Sequence, residues 1–160
     1  MREHDRNTIN LERRKTLIAG GGVCLLGIFA ALGLAPGLAR AGVSRAAFEA
    51  MNLSDALDAL GALAPEDSTS IKLTAPDIAE NGAVVPVTVE CLLSGTEQIS
   101  ILIDKNPTML AASFAIPQDT EGYLSTKIKM AQTATVIALV KANGKFYRAS
   151  REVKVTAGGC

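Results

Sequence analysis

Tryptophan is absent from this chain of 160 residues, histidine occurs once and cysteine three times. The one histidine is His4, so any domain built downstream has none. Histidine-dependent metal centres, Ser/His/Asp triads and Cys/His nucleophile pairs are thereby excluded from it. An excess of charge is lacking too, since 16 Lys and Arg balance 16 Asp and Glu. The balance hides a difference between segments: six basic and three acidic residues precede residue 42, which leaves ten against thirteen in the remainder. A mildly acidic remainder is no natural partner for nucleic acid or for an anionic membrane surface. At this length one ordinary domain has a core large enough to fold without many disulfides.

What is present begins at the N-terminus. Arg13-Arg14 stands against an apolar run from Leu17 to Ala35, and Ala39-Arg40-Ala41 forms a small-x-small cleavage site behind the helix breakers Pro36 and Gly37. That order of parts is a twin-arginine signal peptide over residues 1–41. Gly20, Gly21, Gly22, Gly27 and Gly33 dilute the run to a modest hydrophobicity, which suits export of an already folded protein. The sequence predicts cleavage after Ala41, a periplasmic location and no membrane attachment afterwards. The competing reading is a retained anchor, because the run is just long enough to span a bilayer. Cys24 lies early in the run behind Val23, where a lipoprotein signal needs a small residue, and is expected to leave with the signal.

From Ser44 to Leu63, Phe48, Met51, Ala56, Leu57 and Leu60 recur at roughly helical spacing. Ser44 can cap the first turn and Ser54-Asp55 a second, so one bent helix and two short ones fit equally, ended by Gly61 and Pro65. Past Pro65 the apolar period falls from about four to two. Runs at 70–74, 83–93, 98–104, 111–116, 123–130, 135–141, 145–150 and 152–156 read as strands, with Gly, Pro, Asn or Asp in the breaks. Asn143-Gly144 predicts a tight hairpin turn, since both residues tolerate positive φ. Strands without intervening helices predict a mainly β domain over residues 42–156, an antiparallel immunoglobulin-like β-sandwich with a short N-terminal helical segment. Pro86 cannot donate to a ladder, which puts its strand at an edge or a bulge. So apolar an edge, near Val84 to Val89, is expected to be covered by the N-terminal helix or by another subunit.

The chain finishes on Val153-Lys-Val-Thr-Ala-Gly-Gly-Cys160. With the last strand ending near Thr156, residues 157–160 form a thin arm. Gly158 and Gly159 make it flexible and remove side chains that would block a narrow active site, and four residues reach roughly 13 Å. Nothing nearby activates the thiol of Cys160: Lys154 and Arg151 belong to the preceding strand, and an ordinary thiol with pKa about 8.5 is only a few per cent thiolate at neutral pH. The chemistry must then come from a partner, which argues for a carrier over an enzyme. Cys91 shares the strand face of Val85, Val87 and Val89 and is expected in the core, with a disulfide to Cys160 or a second reactive thiol as the competing reading. Asp55/Asp58 and Asp77/Glu80 read as solvated surface, a weak calcium site being the alternative. No metal or cofactor is expected.

Several stretches together carry a resemblance: Ala75-Pro-Asp-Ile-Ala-Glu-Asn-Gly-Ala-Val-Val-Pro-Val87, Lys105-Asn-Pro107, Ala111-Ala-Ser-Phe114, Lys129-Met130, Ala138-Leu-Val-Lys141, and Lys154-Val-Thr156 followed by Gly158-Gly159-Cys160. Spread over nearly all of the chain past the signal, they closely resemble the SoxY family, the sulfur-carrying subunits of the periplasmic thiosulfate-oxidising Sox system. The resemblance implies that Cys160 is the covalent attachment point for thiosulfate-derived intermediates and that the chain is not itself an enzyme. It also implies a heterodimer with SoxZ, and transient partners: the haem-containing SoxXA that couples thiosulfate to the cysteine, the hydrolase SoxB that releases sulfate, and the sulfane dehydrogenase SoxCD. The family tail usually reads Gly-Gly-Cys-Gly-Gly, and both trailing glycines are missing here. A terminal carboxylate on the cysteine itself would oppose thiolate formation and the approach of thiosulfate. A shortened chain, a diverged carrier and a paralogue with another sulfur substrate fit that departure equally. Two other classes compete with the carrier: a thiol redox enzyme pairing Cys160 with Cys91, and a structural or partner-binding β-sandwich module that uses Cys160 for disulfide formation.

Overall fold

A strand buried on both faces needs a cover on each, and two such strands occur among the described residues. Ile99 to Ile103 and Val136 to Val140 are buried without a break. In the computed structural model, which describes residues 45–159, both lie in the middle of the larger of two sheets. His4, Arg13, Arg14, Cys24, Ala39, Ala41, Ser44 and Cys160 lie outside the described residues.

The elements are α1 (Arg45–Glu49), α2 (Leu53–Leu60), β1 (Glu66–Asp67), β2 (Ile71–Thr74), β3 (Ile78–Ala79), β4 (Val85–Cys91), β5 (Thr96–Ile103), β6 (Leu110–Ala115), β7 (Gly122–Ile128), β8 (Ala134–Ala142) and β9 (Lys145–Val155). The larger sheet runs β1-β9-β8-β5-β6, with β3 also on β9, and the smaller runs β2-β4-β7. The long pairings are antiparallel, whereas β1 and β3 each add a two-residue parallel bridge to β9. This is the mainly β, immunoglobulin-like sandwich expected from the strand pattern.

Between the sheets, Val85, Val87 and Val89 of β4 meet Ile99, Ile101 and Ile103 of β5 and Val136, Ala138 and Val140 of β8. The outer face of β5 and β8 presents Leu102, Ile137 and Leu139, and the helices cover it with Ala47, Ala50 and Ala56, whose small side chains let the backbones lie close. The helical region resolves into two short helices. Asn52 caps α2 by accepting from the Asp55 amide at 2.9 Å, and Gly61 ends it in the left-handed conformation at φ 75°.

Three expectations change. The runs 145–150 and 152–156 are one uninterrupted strand of 11 residues. The loop around Asp77 and Glu80 contains a strand, β3, because it follows the end of β9 in register, Ile78 opposite Lys154 and Ala79 opposite Val155. The apolar strand at Val84 to Val89 is an edge only in its first half, and the helices do not cover it. It lies between β2 and β7 from Thr88 onward, Val85, Val87 and Val89 point into the core, Val84 is exposed, and the helices cover the other sheet. Pro86 is tolerated because β2 pairs only with Thr88 to Cys91, so the segment from Val85 to Val87 has β7 as its only neighbour.

Candidate functional site: the glycine tail and its cradle

The end of β9 hands the chain over to a surface groove. Beside β3, the Lys154 amide donates to the Asp77 carbonyl at 2.9 Å, the Thr156 amide to the Ala79 carbonyl at 3.1 Å, and the Thr156 hydroxyl to the Glu80 carbonyl at 3.2 Å. Pairing then passes to Gly82, whose amide donates to the Ala157 carbonyl at 2.7 Å while its carbonyl accepts from the Met130 amide at 2.8 Å. The Met130 carbonyl in turn accepts from the Gly159 amide at 3.0 Å. Three backbone segments, 157–159, 82 and 130, are thus joined in a closed circuit of three hydrogen bonds.

Both walls of the groove are braced from behind. The Asn81 side chain accepts from the Ala83 amide at 2.9 Å and holds the turn at Gly82. Asn106 donates to the Lys129 carbonyl at 2.8 Å and accepts from the Ala131 amide at 2.9 Å, which fixes the segment beyond β7. The approach is so close that no side chain fits. A Cβ on Gly82 would overlap the Met130 carbonyl oxygen and lie 3.0 Å from the Gly159 nitrogen; one on Gly158 would overlap the Ala131 carbonyl oxygen; one on Gly159 would overlap the Gly82–Ala83 peptide. Gly82 is buried, Gly159 half-buried and Gly158 exposed.

The surroundings are electropositive on one side. Lys105, Lys127 and Lys129 flank the braced segment, are exposed, and pair with no carboxylate among the described residues, whereas Lys72, Lys141, Arg148 and Arg151 each have an acidic partner. No group of His, Cys, Asp and Glu suited to hold a metal ion occurs among the described residues. Asp77 is engaged by Arg151 at 2.6 Å, and Asp55 receives the Asn52 amide side chain at 2.7 Å.

Of the residues read from the sequence, Gly158 and Gly159 are brought to this groove, and Cys160 follows directly on Gly159. Cys91 is elsewhere. It is buried in the sandwich core, where the Thr96 hydroxyl lies 3.4 Å from its sulfur. It closes the end of β4 opposite Gly122, while the tail lies past the other end, where Val85 pairs with Ile128. Six residues of strand separate Val85 from Cys91, about 20 Å, and a four-residue arm of roughly 13 Å does not span that distance within one chain. Gly82, Met130 and Asn106 were not singled out for function. The Asn81-Gly82 dipeptide was the available signal, since it marks a turn, but nothing local says what lies across it.

A family model described as "Sulfur oxidation protein SoxY" matches residues 56–160. Among solved structures, the sulfur carrier protein SoxY from Chlorobium limicola f thiosulfatophilum is similar at 44% identity, with 68% of this chain and 96% of that chain covered and a TM-score of 0.60. A superoxide reductase (neelaredoxin) from Ignicoccus hospitalis is similar at 18% identity, over 54% of this chain and 80% of that one, with a TM-score of 0.48. No curated protein matches the sequence.

Proposed function

The chain belongs to the SoxY family of sulfur oxidation proteins, and from that membership we propose that it is a non-catalytic periplasmic sulfur carrier, exported by the twin-arginine route, that holds thiosulfate-derived intermediates on Cys160. The observation that carries the reading is that the family match runs through Gly158 and Gly159 to Cys160, the two glycines lying beyond the last strand with no side chain to block a partner.

In the first step the Cys160 thiolate and the sulfane sulfur of thiosulfate form an S–S bond, and two electrons pass to the haem partner SoxXA, leaving a cysteine S-thiosulfonate. Water then attacks the sulfonate at SoxB, releasing sulfate and two protons and leaving a persulfide anion. SoxCD oxidises the remaining sulfur. In this scheme the carrier contributes position and reach, and its partners contribute the electron acceptor and the activated water. Lys105, Lys127 and Lys129, which flank the braced segment and pair with no carboxylate among the described residues, favour a dianionic substrate and an anionic adduct, and the separation of Cys91 from the arm weighs against a dithiol enzyme.

The test is the intact mass of the native periplasmic protein, from cells grown with thiosulfate, with and without reductant. The expected result is a mass beginning near Gly42 that carries a reductant-labile adduct localised to Cys160, absent from Cys160→Ser in a protein that still folds. A Cys160→Ser protein that acquires thiosulfate-derived mass overturns the assignment.

A further inference from the structure

We propose that the carrier arm has a latched resting state, held across Gly82, and that release of this latch sets how far Cys160 reaches. The inference rests on the carrier reading for its use, but the latch itself stands on the backbone geometry. The Ala157 carbonyl and the Gly159 amide are both engaged, by Gly82 and by Met130, and Gly82 and Met130 are bonded to each other. The arm therefore docks against a preformed surface whose own hydrogen bonds do not depend on it. With the arm latched, the chain is tied down as far as Gly159, whereas release back to Thr156 adds three residues, roughly 10 Å of reach.

The latch is weak enough to be opened by a partner. Two backbone hydrogen bonds of ordinary net strength are offset by the entropy of ordering three residues, so docked and released arms lie close in free energy. A partner that takes only the released arm then binds more weakly than it would to an arm already free, in proportion to the fraction released. Glycine at position 82 is what permits the latch. A methyl group there meets the Met130 carbonyl and the Gly159 nitrogen, so it expels the arm or separates the walls. Glycine at 158 and 159 thus serves two states, close approach when docked and freedom when released.

The experiment is amide hydrogen exchange read by NMR on the exported protein. The Gly159 amide is expected to exchange at least about twofold more slowly than in a free peptide of the same tail sequence, as a docked fraction of one half or more requires, and Gly82→Ala is expected to abolish that protection while the Ile101 and Val136 amides stay protected. Gly158→Ala, which places its methyl against the Ala131 carbonyl, provides a second release that leaves the Gly82–Met130 bond in place. Exchange of Gly159 at the free-peptide rate in the unmodified protein overturns the latch, whether or not Cys160 loads. Protection of Gly159 in a protein that acquires no adduct supports the latch and tells against the carrier reading instead.

Discussion

At the scale of single residues, what surrounds Cys91 decides its part in the molecule. Cys91 alternates in register with three core valines and ends up against Thr96, whose hydroxyl also donates to the Leu93 carbonyl at 3.0 Å. Cys91→Ala should cost about 1 kcal/mol through the small void it leaves, seen as a lowered urea midpoint, and should leave adduct formation on Cys160 unchanged. A loss of loading in that variant would return the dithiol enzyme to consideration. The burial of Cys91 was legible in the alternation of its strand. The importance of Gly82 was not, because a glycine beside an asparagine announces a turn and carries no mark of the backbone that will cross it.

Among the elements, the hairpin from β8 into β9 was read from Asn143-Gly144, and both residues do take positive φ, 49° and 74°. No atom lies within 4 Å of where a Cβ on Gly144 would be, so Gly144→Ala meets only backbone strain. It should lower stability by about 1 kcal/mol, measured by denaturant unfolding. A register shift between Thr96 and Gln98 marks a bulge at Glu97, whose carboxylate reaches the turn, accepting from the Gly144 amide at 2.8 Å and pairing with Lys141 at 2.9 Å. These partners, the Lys141 hydrogen bond first, hold the Glu97 carboxyl below its ordinary value of 4.5. A depressed folded pKa means that this stabilisation is present above about pH 4.5 and is lost as pH falls through the folded value. Glu97→Gln keeps an acceptor for Gly144 but cannot titrate, so its unfolding midpoint should fall less steeply than that of the unmodified protein below that pH. Arg148 depresses Asp67 in the same direction, which leaves some acid sensitivity in the variant. The bulge that aims Glu97 at the turn had no sequence signal, since an extra residue in a strand is visible only against its partner.

For the molecule as a whole, the open edges decide how it meets other proteins. Val85, Val87 and Val89 are used up in the core, which leaves the edge at Pro86 only the exposed Val84 and the short segment Val85–Val87 to offer a second subunit. β6 is an alternative: it pairs only with β5, and Leu-Ala-Ala-Ser-Phe-Ala carries no charge to discourage pairing with another chain. Placing SoxZ there predicts that Ala115→Lys, at an exposed position, weakens the heterodimer several-fold in sedimentation or titration calorimetry while the monomer stays folded. An unchanged affinity would move the interface to another edge.

The sequence by itself determined the sandwich, the helical segment before it, the buried Cys91 and the two glycines that precede Cys160. These follow from periodicity, turn chemistry and composition, which are local and add up along the chain. Only the tertiary structure decided that β4 is interior, that the helices cover the face of β5 and β8, that β1 and β3 lie parallel to β9, and that Gly82 and Met130 receive the tail. Each of these depends on which segments become neighbours across separations such as 14 residues, Thr74 with Thr88, and 81, Glu66 with Tyr147. Such pairing is chosen by the summed burial of both sheets, and no single stretch of sequence carries it.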